Sequence, residues 1–159
     1  MKKTKIAING FGRIGRAFFK IAKDASELEI VAINDISDIE NIAYLLKYDS
    51  VYGKSDFTVS VGKESLTVDN KEIKFLNEKN PANLPWGKLD IDIVVESTGI
   101  FSSYEKSKMH LDAGAKRVVV SAPVKDEAPD GIVGKTILMG VNDINLQTCD
   151  ISSNASCTT

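Results

Sequence analysis

Three groups of residues in this 159-residue chain have types and spacing that could do chemistry. Gly10-Phe11-Gly12-Arg13-Ile14-Gly15 has the glycine spacing of a turn that cradles a diphosphate. Gly10 can take the backbone angles of a tight turn, Gly12 has no side chain to block a pyrophosphate, and Gly15 lets a helix lie close to the preceding strand. Free N–H groups near Arg13 and Ile14, with the positive end of the helix dipole, would face the phosphates. The second group is Asp35, 20 residues after Gly15 at the end of another apolar run. A carboxylate there accepts hydrogen bonds from the adenosine ribose hydroxyls and repels the extra phosphate of NADP, which favours NAD. A turn or helix-capping aspartate is the simpler reading of the same residue. The third is Ser153-Asn154-Ala155-Ser156-Cys157-Thr158-Thr159. A small polar run after a strand marks a helix N-terminus, where Cys157 could serve as a nucleophilic thiolate; a buried filler cysteine is the alternative.

The elements that must position these groups alternate. Lys5 to Asn9 is a short apolar run cut off by glycine and predicts a buried strand. Gly12 to Lys23 predicts a helix with Ile14, Phe18, Ile21 and Ala22 at helical spacing. Leu28 to Ile33 predicts a second buried strand, and Ile39 to Tyr48 a helix with Ile42, Leu45 and Leu46 inward. Phe57 to Val61, Ser65 to Val68 and Ile73 to Leu76 are separated by Gly62-Lys63 and Asp69-Asn70, which predicts inserted antiparallel strands. Asn80 to Gly87 reads as loop. Ile91 to Glu96 and Arg117 to Ser121 read as strands flanking a helix from Ser103 to Ala113 that ends at Gly114. Asp126 to Lys135 reads as an exposed loop, and Ile137 to Met139 and Asp150 to Ser152 as short strands. The pattern predicts an α/β, Rossmann-type doubly wound fold: a mostly parallel sheet with a short antiparallel insertion.

Composition narrows the function classes. With 43% hydrophobic and 26% charged residues, the chain can build a core, and a net charge of -2 offers no basic stripe for nucleic acid. No run reaches the ~20 apolar residues of a membrane span, and Met1-Lys2-Lys3-Thr4 carries no signal-peptide pattern, so a cytoplasmic location is expected. Two cysteines, Cys149 and Cys157, predict no disulfide framework, and a single histidine predicts no metal site. His110 is expected to be a surface or helix-end residue.

Asn9 to Arg16, Asn34-Asp35, Leu46 to Ser50, Glu96 to Gly99, Ala113 to Lys116, Ser121-Ala122-Pro123, Gly140-Val141-Asn142 and the terminal Ser153 to Thr159 resemble the phosphorylating glyceraldehyde-3-phosphate dehydrogenases in order and spacing. The resemblance covers the chain from residue 5 onward. It implies an NAD-binding Rossmann domain over 1–152 and the start of a catalytic-domain cysteine segment over 153–159. It implies that Cys157 attacks the aldehyde of glyceraldehyde 3-phosphate to give a thiohemiacetal. Hydride transfer to NAD leaves a thioester, and inorganic phosphate releases the acyl phosphate. Ser156 and Thr158 would hold substrate or phosphate oxygens. Arg13 and Ile14 would lie against the pyrophosphate and Asp35 on the ribose, with Ser97, Thr98 and Ser121 lining the cofactor cleft. Lys79 stands where the family more often has arginine beside the adenine. The family continues with a catalytic half that supplies the base and most of a homotetramer interface. The chain as given is therefore expected to bind NAD, with Cys157 an ordinary thiol and no turnover on its own. A sister enzyme acting on erythrose 4-phosphate and a standalone binding or regulatory module are the alternatives.

Overall fold

The computed structural model describes residues 2–155. The chain opens with β1 (Thr4–Asn9), α1 (Arg13–Ala22), β2 (Leu28–Asn34) and α2 (Ile39–Lys47). A small hairpin pairs β3 (Tyr48–Asp49) with β4 (Gly53–Lys54). The meander β5 (Val59–Val61), β6 (Ser65–Val68) and β7 (Lys71–Leu76) follows. Then come β8 (Ile93–Glu96), α3 (Tyr104–Asp112), β9 (Arg117–Val120), β10 (Gly134–Thr136) and β11 (Ile151–Ser153). Nine strands share one sheet in the order β10-β11-β9-β8-β1-β2-β7-β6-β5. Every pairing from β10 to β7 is parallel, and only β7-β6 and β6-β5 are antiparallel. This is the Rossmann-type α/β architecture with the antiparallel insertion that the alternation predicts.

Strand side chains alternate between faces, so each central strand feeds two cores. Ile6, Ile8, Ile33 and Val95 pack on one face with Phe19 of α1 and Ile42, Ala43 and Leu46 of α2. Ala7, Ala32 and Val94 face the other way, against Leu84, Trp86 and Ile91. A register shift between Ile6 and Ala7 in the β1–β2 pairing breaks the alternation in β2, so Val31 and Ala32 both belong to this second cluster. A third cluster places Tyr104 of α3 over Val118, Val120 and Ile151.

Several local expectations need correction. The buried stripe of α1 is Gly15, Phe19 and Ala22, whereas Ile14 is 56% and Ile21 80% exposed. Gly15 must touch the turn before the helix, and that contact sets the helix's rotation; Phe18 is left half-buried. In α2 the inward residues are Ile42, Ala43 and Leu46, with Leu45 half-buried. The strand expected at Ile137 to Met139 lies earlier, at Gly134–Thr136, overlapping the end of what reads as loop. There its residues pair in parallel with Ile151 to Ser153, and Ile137 stays buried before the chain turns outward through Leu138 and Met139. The segment from Asn80 contains a 3-10 turn at Pro81–Asn83, and its Leu84 and Trp86 are core residues. The β3–β4 hairpin escapes a periodicity argument because each strand is two residues long; Asp49 Oδ1 accepts from the N–H groups of Val51 and Tyr52 and closes its turn. Among the described residues no helix is long and apolar enough to cross a membrane.

Candidate functional site

The sheet order reverses at β1: the chain goes from β1 to β2 on one side and returns to β8 on the other. In open parallel sheets the crevice at such a switch point, beyond the carboxyl ends of the strands, is where ligands bind. Here the C-terminal ends of β1, β2 and β8 bring together Gly10, Asp35, Ser97 and Thr98.

The turn after β1 is built as the glycine spacing requires. Gly10 has φ +88 and donates its N–H to the Asn34 carbonyl at 2.8 Å. A β-carbon on Gly10 would lie 2.6 Å from Thr98 N, and one on Gly15 would lie 2.2 Å from the Gly10 carbonyl oxygen. Both positions therefore exclude a side chain because backbone passes there. Gly12 differs: a β-carbon there would meet nothing within 4 Å. Its glycine leaves open space in front of the first turn of α1. Gly12 is also the N-cap of α1, with no side-chain cap hydrogen bond and no acidic residue in the first turn. Helices usually satisfy their first N–H groups with a Ser, Thr, Asp or Asn cap. Here the first-turn N–H groups and the helix dipole face the open space beside Gly12, beside the exposed Arg13 and Ile14.

Phe11 fastens the turn from below. Its ring is fully buried and meets Phe19 edge-on, with centroids 5.6 Å apart. Its N–H donates to Asp35 Oδ2 at 2.7 Å, and Asp35 Oδ1 accepts from Ser37 N–H at 2.8 Å. Asp35 thus takes the turn role and still has lone pairs for further donors, since a carboxylate accepts about four hydrogen bonds. The cap of α2 is Asp38, not Asp35.

The β8 end is more heavily tied than its sequence suggests. Ser97 Oγ donates to the Gly10 carbonyl at 2.7 Å, so its hydroxyl hydrogen holds the turn rather than pointing outward. Thr98 gives both its N–H and its hydroxyl to Glu96 Oε1. Ser121 is half-buried at the end of β9, its N–H on the Glu96 carbonyl at 3.0 Å. Lys79 is exposed on the loop after β7, next to Glu78, whose N–H and carbonyl both pair with the Asn34 side chain. Ser156, Cys157 and Thr158 lie outside the described residues.

Beneath the crevice lies a buried polar network that sequence reasoning missed. Asn9, Asn34, Glu96 and His110 are each 4% exposed or less. Asn34 Nδ2 donates to Asn9 Oδ1 at 2.7 Å, and Asn9 Nδ2 donates to Glu96 Oε2 at 2.6 Å. His110 Nε2 meets the same oxygen at 3.0 Å, and Trp86 Nε1 donates to His110 Nδ1 at 3.0 Å. His110 is therefore a wholly buried residue, not the surface or helix-end histidine expected; the helical face that carries it turns toward the sheet. Burial alone would push the Glu96 carboxyl up, but the hydrogen bonds from His110, Thr98 and Asn9 outweigh it and hold the group below its ordinary range. The available signal was that three apolar strands each end in a polar residue: Asn9, Asn34 and Glu96.

A cavity of about 370 Å³ lies elsewhere, where β2 and β7 diverge at the other end of the sheet; Phe19, Leu28, Ile30 and Ile73 line it. It has no glycine turn or helix N-terminus and belongs to the splayed strands rather than to the crevice.

Comparison with known proteins agrees with this geometry. Residues 4–104 match the family described as glyceraldehyde 3-phosphate dehydrogenase, NAD binding domain. The chain is 48% identical over 156 residues to the cytosolic glyceraldehyde-3-phosphate dehydrogenase of Leishmania mexicana, covering 98% of this chain and 45% of that protein. It is 49% identical over 158 residues to the glyceraldehyde-3-phosphate dehydrogenase of Geobacillus stearothermophilus, and 47% over 158 residues to that of Streptomyces coelicolor, with the same coverage. The chain spans about half the length of the curated relatives it matches. It belongs to the family of glyceraldehyde 3-phosphate dehydrogenase NAD binding domains.

Proposed function

We propose that this chain supplies the NAD-holding part of a phosphorylating glyceraldehyde-3-phosphate dehydrogenase. In this reading the coenzyme's diphosphate sits over Gly12 on the N–H groups of Arg13 and Ile14. The adenosine ribose rests on Asp35, and the adenine lies toward Lys79. Ser97 and Thr98 act mainly by shaping the turn, and Ser121 lies at the edge toward which the nicotinamide end would run. The observation that carries the reading is the uncapped first turn of α1 facing open space beside Gly12, with Asp35 held alongside by Phe11 N–H.

NAD supplies the hydride acceptor for the oxidation step. The thiol of Cys157 would form the thiohemiacetal and then the thioester, with Ser156 and Thr158 near the substrate oxygens. Inorganic phosphate would release the acyl phosphate and restore the thiol. Glyceraldehyde 3-phosphate is the substrate of this proposal, a homotetramer the assembly and the cytoplasm the location; the relatives' names support all but the assembly. Calorimetric titration of the purified chain with NAD and NADP tests the coenzyme part. Binding of NAD in preference to NADP is the expected result, and equal affinity for the two would remove the role given to Asp35.

A further inference from the structure

We propose that Glu96 is a positioning residue for the coenzyme: its buried carboxylate holds Thr98 against Gly10 on one side and, through Asn9 and Asn34, the loop of Glu78 and Lys79 on the other. This rests on the reading of the crevice as the NAD site.

Two donors that cannot accept, the Trp86 indole N–H and the Glu78 main-chain N–H, fix the direction of the chain of bonds from His110 and from Asn34 to Glu96. An indole N–H can only donate, so the Trp86 contact requires an unprotonated Nδ1 on His110. The ring hydrogen then sits on Nε2 and points at Glu96 Oε2. At the other end the Glu78 main-chain N–H donates to Asn34 Oδ1 at 2.9 Å, which orients the Asn34 amide. Asn34 Nδ2 donates to Asn9 Oδ1, and Asn9 Nδ2 donates to Glu96. Two more donors arrive from Thr98. Four donors converge on one buried carboxylate, and a hydrogen placed on Oε2 would face two of them, Asn9 Nδ2–H and His110 Nε2–H.

The consequence reaches the ligand side because Thr98 and Gly10 are in backbone contact. Gly10 begins the turn that presents Gly12 and the α1 N–H groups, so a shift of Thr98 moves the phosphate-facing backbone. Asn34 also accepts at its carbonyl from Gly10 N–H, so the same network holds the turn from both flanks. Glu96 itself is 1% exposed, so its side chain acts through Thr98 and Asn9.

The test compares NAD dissociation constants and melting temperatures of the purified chain for wild type, Glu96→Gln, Trp86→Phe and the double variant. A glutamine amide that keeps its oxygen toward Thr98 turns its NH2 group against both Asn9 Nδ2–H and His110 Nε2–H. His110 could accept only by moving its hydrogen to Nδ1, which the Trp86 N–H forbids. Phenylalanine at 86 lifts that prohibition. Glu96→Gln is expected to weaken NAD binding by about tenfold or more. The double variant is expected to recover part of that loss even though the packing of the indole is gone. A purely structural role predicts the opposite, with the double variant binding most weakly. Should Glu96→Gln not fold, His110→Gln and His110→Leu carry the test: a glutamine at 110 can accept from Trp86 and donate to Glu96, and should bind NAD more tightly than the leucine variant. A Glu96→Gln chain that binds NAD like wild type, a double variant weaker than Glu96→Gln, or a His110→Leu chain that binds NAD as tightly as His110→Gln overturns the inference alone. A wild-type chain that does not bind NAD overturns the coenzyme reading and the inference with it.

Discussion

The main-chain N–H of Phe11 donates to the carboxylate of Asp35 at 2.7 Å, across 24 residues of sequence. This bond joins the turn that would hold a diphosphate to the group that would hold its sugar. The turn and Asp35 are therefore tied to each other, and Phe11's buried ring anchors the turn in the core beneath α1 and α2.

Gly12 and Gly15 should separate cleanly on substitution. Gly12→Val fills open space, at a backbone φ of -68 that any residue adopts, so stability should change by no more than about 1 kcal/mol. NAD affinity should nevertheless fall by about tenfold or more, because the side chain occupies the phosphate's place. Gly15→Ala meets the Gly10 carbonyl and should destabilise the fold by about 1–3 kcal/mol. Chemical denaturation and NAD titration on the same two variants check both halves; a Gly12→Val chain with unchanged affinity contradicts the assignment.

Asp35→Asn keeps the shape but leaves a single oxygen to accept from two N–H groups, those of Phe11 and Ser37. It also removes the charge that repels a 2′-phosphate. NAD should bind more weakly, by about 1–2 kcal/mol, and the preference for NAD over NADP should shrink. Parallel titrations with both coenzymes read the ratio, and a variant with an undiminished preference would assign discrimination elsewhere.

Much of this site was legible because glycine spacing and strand–turn–helix order are local properties. Gly10, Gly12 and Gly15 each have a separate steric reason, and each reason is visible in the sequence. The turns at Gly62-Lys63 and Asp69-Asn70 were equally readable, the latter with both residues at positive φ. The roles of Ser97 and Thr98 were not, because they depend on what β8 faces across the sheet: Gly10 on one side and Glu96 underneath. His110 shows the same limit. Its neighbours on α3 are mostly polar, and only tertiary packing against Trp86, distant in sequence, turns its face inward. The rotation of α1 was misread because three apolar residues, Ile14, Phe18 and Ile21, outnumber the one large residue, Phe19, that is fully buried.

Acid should weaken the fold in a way that Glu96 reports. Its carboxyl is held below the ordinary range in the folded chain, so its stabilising effect is fully present above the unfolded value and is lost as pH falls through the folded one. The stability gap between wild type and Glu96→Gln should therefore be constant near neutrality and narrow below about pH 4. Asp49, Asp69, Asp90 and Asp92 are shifted in the same direction but are common to both proteins and cancel in the difference. Urea unfolding across the acid range measures the gap, and a gap undiminished at about pH 2 would show that the charge of Glu96 is not what matters.

The chain has one histidine and one tryptophan, which makes the buried network accessible to magnetic resonance. Nitrogen-15 shifts of the imidazole should show a neutral ring with its hydrogen on Nε2. In Trp86→Phe the Nε2 hydrogen should stay, because Glu96 still accepts it, whereas in the double variant with Glu96→Gln it should move to Nδ1. A hydrogen on Nδ1 in the wild-type chain would contradict the donor direction drawn for the network.

The most direct test of the coenzyme site is a crystal structure of the chain with NAD. Diphosphate oxygens should lie ~3 Å from the N–H groups of Arg13 and Ile14, over Gly12, with a ribose hydroxyl on Asp35. NAD bound in the Leu28–Ile73 cavity instead, or with its adenosine ribose turned away from Asp35, would contradict the account.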